Sequence, residues 1–118
     1  MSEIRSVRDE SRRSLIVTTH GYINDQGGQS LRQECEAGLE SDLTNIIIDF
    51  GESDLINSVA ISNIIAVIEK VEERRGSLSF TGLQPTVREV FDMMGLSRHA
   101  MIHANVDEAV GQESPEAP

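Results

Sequence analysis

Apolar positions along this chain keep two different rhythms. The run Ile46-Ile47-Ile48-Asp49-Phe50 is continuous and β-branched, as expected of a strand covered on both faces. After the turn-forming link Gly51-Glu52-Ser53-Asp54-Leu55-Ile56-Asn57 the period changes. Ile61, Ile64, Ile65, Ile68 and Val71 recur at the spacing of one helix face, and Ala60 and Val67 widen it. Asn57 or Ser58 is expected to cap that helix, accepting a hydrogen bond from the free N–H groups of the first turn. Those groups also carry the positive end of the helix dipole, so the position suits a phosphate.

The same reading organises the rest of the chain. In 1–13, Ile4 and Val7 fit a short edge strand, with Asp9-Glu10-Ser11 turning into a clearer one over 14–20 that Gly21 stops. Residues 22–28 read as a loop leading into a helix over 29–39, where Leu31, Cys35 and Leu39 form one stripe. The Ile61 helix closes at Glu72-Glu73-Arg74-Arg75, with Gly76 expected at its C-cap. A strand over 77–81 follows. Pro85 then opens a helix that carries Val87, Val90, Phe91 and Met94 as far as Gly95. A short strand near 100–103, a last helix over 106–110 capped by Asn105, and a polar tail over 111–118, expected to be disordered, complete the chain. Alternation of this kind predicts the α/β class: a single domain with a mixed, mostly parallel sheet of four to five strands and about four helices.

Composition narrows the function. Ten Lys and Arg against twenty Asp and Glu leave a formal charge of -10, which argues against nucleic acid and anionic membranes and suits a basic protein partner. Aromatic residues are only 3%, so the core must be aliphatic. Cys35 is the single cysteine, which excludes an internal disulfide or a cysteine metal framework and reads as a core residue. No signal-type segment or membrane-length apolar run is visible, so a cytoplasmic location is expected.

Candidate chemistry is sparse. His99 and His103 are four apart but lack a third metal ligand, and His20 ends a strand without an evident partner. Asp49, Glu52 and Asp54 read as a solvated acidic rim. Gly27-Gly28 lacks the Lys-Ser/Thr of a phosphate-binding loop, and Ser58 lacks the glycines of a nucleophile elbow. Neither a metal, a cofactor nor a catalytic residue is expected.

The segment Leu55-Ile56-Asn57-Ser58-Val59-Ala60-Ile61-Ser62 resembles the Asp-Ser-Ser-Gly-Leu-Gly segment of STAS domains, the anti-sigma-factor antagonist family. Gly21-Tyr22-Ile23-Asn24 is similar to the family's Gly-x-Leu-Asp. Residues 45–49 and Thr81-Gly82-Leu83-Gln84-Pro85, with the helix after it, resemble its third strand, fourth strand and third helix. The resemblance spans 14–110, leaving 1–13 as an N-terminal segment and 111–118 as a tail.

What the resemblance implies is a cytoplasmic regulator without catalysis. Unphosphorylated, it would bind an anti-sigma factor that is also a serine protein kinase; phosphorylation would release it, and a serine phosphatase would restore binding. Ser58 matches the phosphoacceptor, and Asn24, Asn57, Ser58, Val59, Ile61 and Ser62 match the partner-binding set. An alternative from a different class is a STAS scaffold of a stress-sensing complex or transporter that is never phosphorylated. The chain departs from the family at Asn57 and Asn24, where aspartates are usual, and at Val59-Ala60. Because an amide orients a hydroxyl but is a poor base, an aspartate at position 57 is expected to speed phosphorylation.

Overall fold

The computed structural model describes residues 3–112; the remainder of the tail, 113–118, lies outside the described residues. Five strands form one sheet in the order β1-β2-β3-β4-β5: β1 (Glu3–Asp9), β2 (Ser14–His20), β3 (Asn45–Glu52), β4 (Ser77–Thr81) and β5 (Met101–His103). β1 runs antiparallel to β2, and the other pairs are parallel. Four α-helices connect or follow them: α1 (Asp25–Glu40), α2 (Ser58–Glu73), α3 (Pro85–Met93) and α4 (Val106–Gln112). The expected α/β class and mostly parallel sheet are borne out.

The Ile46 run is continuous because both its faces are covered. Ile46, Ile48 and Phe50 join Leu31, Cys35 and Leu39 of α1 and Ile64, Val67 and Val71 of α2 in one core. Phe50, Phe80 and Phe91 meet edge to face there, with centroids 5.2 to 5.6 Å apart, and so pin α3 to the sheet. Ile47 points the other way yet is fully buried, and α4 packs on β3, β4 and β5. Within this core the Cys35 thiol is pushed up to about 12, first by burial and then by Glu34 and Glu36, so it stays protonated and inert.

Several expectations need correction. α1 starts at Asp25, four residues before the expected 29, and takes Gly27 and Gly28 into its first turns. Glycine disfavours a helix interior by about 1 kcal/mol, but here it allows close approach: a Cβ on Gly28 would lie 2.6 Å from the Ala60 Cα of α2. At the end of α2 the left-handed residue is Arg75, at φ 55°, and not Gly76. Gly76 is small for another reason, since a side chain would run into the Thr44 carbonyl oxygen. α4 extends to Gln112, so the tail begins later than 111. His20 does have a partner, its Nε2 lying 3.1 Å from Glu52 Oε1.

The Gly28 contact can be tested because two effects oppose each other. Helix propensity alone makes Gly28→Ala stabilising by about 1 kcal/mol, whereas overpacking against a backbone atom costs about 1–3 kcal/mol. We expect the clash to win and the thermal midpoint to fall by several degrees. A raised midpoint would mean that α1 and α2 are not held this close.

Candidate functional site

β2 and β3 leave the sheet side by side, and their extensions stay joined. The Gly21 N–H donates to the Glu52 carbonyl at 2.9 Å, the Ile23 N–H to Leu55 at 2.9 Å, and the Asn57 N–H to Ile23 at 3.1 Å. Ile23 and Ile56 thereby form a parallel bridge, with Ile23 fully buried. One residue past each isoleucine stands an asparagine that starts a helix.

The two asparagines do the same work. Asn24 Oδ1 accepts from the Gly27 N–H at 2.9 Å, and Asn57 Oδ1 accepts from the Ala60 N–H at 2.9 Å. Between Asn57 and Ser58, then, Asn57 is the cap of α2, and Ser58 is its first helical residue. The other end of the Asn57 amide is also engaged, Nδ2 donating to Asp25 Oδ1 of α1 at 2.7 Å. This contact sets a stability cost against the aspartate expected at 57 to act as a base. A carboxylate there would keep the cap but face a second carboxylate in place of a donor.

Ser58 is exposed, and capping does not use its hydroxyl. Ser62, one turn on, donates from Oγ to the Ser58 carbonyl at 3.1 Å and is exposed as well. Val59 is 40% exposed. Ile61 is different: it is 9% exposed and belongs to the core cluster, which corrects its placement among surface contacts. Tyr22 and Leu55, which the resemblance segments contain but its partner-binding set does not, are exposed as well, at 41% and 56%. Each precedes a bridge residue, which sets the pair side by side. Neither belongs to a helical or strand period, so their signals were an apolar residue in a polar loop and a place in the resembling segments.

The nearby polar groups mostly hold the frame. Asp49 Oδ1 accepts from the Gly51 N–H at 3.0 Å and from Thr81 Oγ1 at 3.1 Å, so it braces β3 against β4. Ser53 is fully buried and bonded to Thr19 at 2.7 Å. His99 Nδ1 lies 3.1 Å from Glu72 Oε2, while His103 ends β5. Among the described residues no group of three or more His, Cys, Asp or Glu could hold a metal ion. No helix among them is long and apolar enough to cross a membrane.

The family model for the STAS domain matches residues 5–109. The chain belongs to the STAS domain family. Its match begins inside β1, so the edge strand falls within the family's span. The chain is 28% identical over 81 residues to BtrV of Bordetella bronchiseptica, a protein named as an anti-sigma factor antagonist; the match covers 69% of this chain and 70% of BtrV. Solved structures of the same fold include unphosphorylated SpoIIAA, an anti-sigma factor antagonist, with a TM-score of 0.81 and 20% identity over 93% of this chain and 95% of that one. The phosphorylated form of SpoIIAA, from Bacillus, gives 0.75 and 19% over 97% and 100%. An anti-sigma factor antagonist from Mycobacterium paratuberculosis gives 0.80 and 18% over 95% and 93%.

The Asn57 to Asp25 contact predicts the behaviour of this STAS domain under substitution. Asn57→Asp should destabilise the fold by about 1 kcal/mol at neutral pH through like-charge repulsion, and adding Asp25→Asn should recover most of the loss. Repulsion favours protonation, so the penalty should shrink as the pH falls into the carboxylate range. Urea denaturation of the single and double variants at two pH values is the measurement. A fully stable Asn57→Asp would show that the two side chains do not meet.

Proposed function

We propose that this chain is an anti-sigma factor antagonist, controlled by phosphorylation of Ser58, whose unmodified α2 end docks on an anti-sigma factor that is also a serine protein kinase. The observation that carries the reading is the position of Ser58. It is exposed, free of capping duty, and set at the first residue of a helix with its N-terminus bound in a rigid frame. Ser53 is buried and Ser62 lies a turn further on, where the helix dipole is weaker. The names of the relatives support the same role, and SpoIIAA has been solved in both states.

The docking surface takes Asn24, Asn57, Ser58, Val59 and Ser62, joined by Tyr22 and Leu55. Ile61 contributes by anchoring the helix from inside. A phosphate on Ser58 brings about 1.5 to 2 negative charges to a helix N-terminus that welcomes them, so the fold is kept. The same charge is costly inside an apolar contact with Tyr22, Leu55 and Val59, because the partner would have to strip its water. Binding is lost while the structure persists. The chain itself performs no catalysis and uses no cofactor in this cycle; a kinase adds the phosphate and a serine phosphatase removes it, both in the cytoplasm.

Incubation with ATP and purified anti-sigma factors of the kinase type from the same genome, followed by peptide mass spectrometry, should place one phosphate on Ser58. Calorimetric titration should show Ser58→Asp binding at least about tenfold more weakly than the unmodified chain, with a melting midpoint within a few degrees, because an acid in the first helical turn is favourable. Equal affinities, or phosphate on Ser62 alone, would contradict the proposal and favour a scaffold that is not switched.

A further inference from the structure

Among the described residues β1 has a hydrogen-bonded neighbour on one side only, which leaves the other edge of its seven residues without a strand partner there. Its side chains divide cleanly between the two faces. Ser6 Oγ donates to Glu34 Oε1 of α1 at 2.6 Å and Ile4 packs on the core, so Ile4, Ser6 and Arg8 share the helix-covered face. Arg5, Val7 and Asp9 lie on the opposite face, where Val7 is 62% exposed, the most open large apolar side chain in any strand. A long open edge with an apolar residue at its middle is a template for strand pairing.

We propose that β1 pairs antiparallel with β1 of a second copy of this chain, in the register that sets Val7 against Val7, so that the two sheets continue into one. Symmetry restricts the choice. The two-fold axis of such a pair is normal to the sheet and preserves its faces, so facing residues must both be odd-numbered or both even-numbered. Three registers within β1 then overlap by five residues or more. Centred on Ser6, the pairing sets Arg5 against Val7 and Arg8 against Ile4, so neither arginine meets an acid; centred on Arg5, it sets Arg5 against itself, like charge against like. Centred on Val7, it sets Arg5 against Asp9 twice, with the two valines between them.

Asp9 is suited to this. Its Oδ1 accepts from Ser11 Oγ at 2.7 Å and the Arg12 N–H at 3.3 Å, which fixes its direction, and its Oδ2 lies 3.7 Å from Arg12 Nε in an exposed ion pair that still leaves acceptor capacity for a second guanidinium. The hydrogen bond from Ser11 also holds its pKa below the ordinary carboxylate value, so it is ionised at neutral pH. No residue of β1 belongs to the Asn24 and Asn57 frame. The pairing therefore does not rest on the function proposed above.

Sedimentation velocity of the full chain at concentrations up to about 0.1 mM should show a reversible dimer, as expected for a small interface. Arg5→Asp should abolish it, and Arg5→Asp combined with Asp9→Arg should restore it. Because Asp9 also caps a turn, a second measurement avoids that residue. Val7→Cys under mild oxidant should form an intermolecular disulfide, since directly facing residues in antiparallel strands lie within disulfide reach. Arg8→Cys, which faces Ser6 of the other copy, should not, and the buried Cys35 stays silent. A strictly monomeric chain, a dimer indifferent to Arg5→Asp, or equal crosslinking through positions 7 and 8 would overturn the proposal.

Discussion

The bridge between Ile23 and Ile56 governs where every other part of the site can stand. Adjacent strands lie about 4.8 Å apart, whereas packed helices need about 8–10 Å, so helices that follow neighbouring strands must diverge at once. Here the chain postpones that divergence. The backbone stays paired past the ends of β2 and β3, and only then does each asparagine turn its segment into a helix. Gly28 lets α1 approach the Ala60 backbone closely, which keeps the two N-termini together.

Two helix N-termini placed together carry like partial charges and should repel. The asparagine caps engage one N–H group at each end, and Asp25 supplies a full negative charge in the first turn of α1. α2 has no acid in its own first turn, so the Asn57 contact to Asp25 lets it share the one on α1. An added phosphate at Ser58 therefore meets a helix end whose positive potential is only partly answered. On the proposed function, this is the physical reason that a phosphate there would change binding without dismantling the fold.

Much of this was legible from periodicity, because the strand and helix rhythms are set by burial. The period that names Ile61, Ile64 and Ile68 as one face already states that Ile61 is buried, and it outweighs the segment likeness that placed it at the surface. The start of α1 was hidden because Gly27 and Gly28 signal a loop when read locally, and their use depends on a helix that comes later in the chain. Asn57 and Ser58 are both good caps, so only the hydrogen bond to Ala60 separates them. The Asp25 contact spans 32 residues and leaves no trace in any local pattern.

The central claim is that Ser58 sits on a preformed, rigid helix end, so that phosphorylation changes surface charge and not structure. Amide hydrogen exchange of the unmodified and Ser58-phosphorylated chains measures this directly at Asn57 and Ala60, whose N–H groups close the bridge and the α2 cap. Protection at both amides should agree between the two forms to within a few-fold. A loss of about a hundredfold or more on phosphorylation would show that the helix end opens, and that the switch works by unfolding the frame.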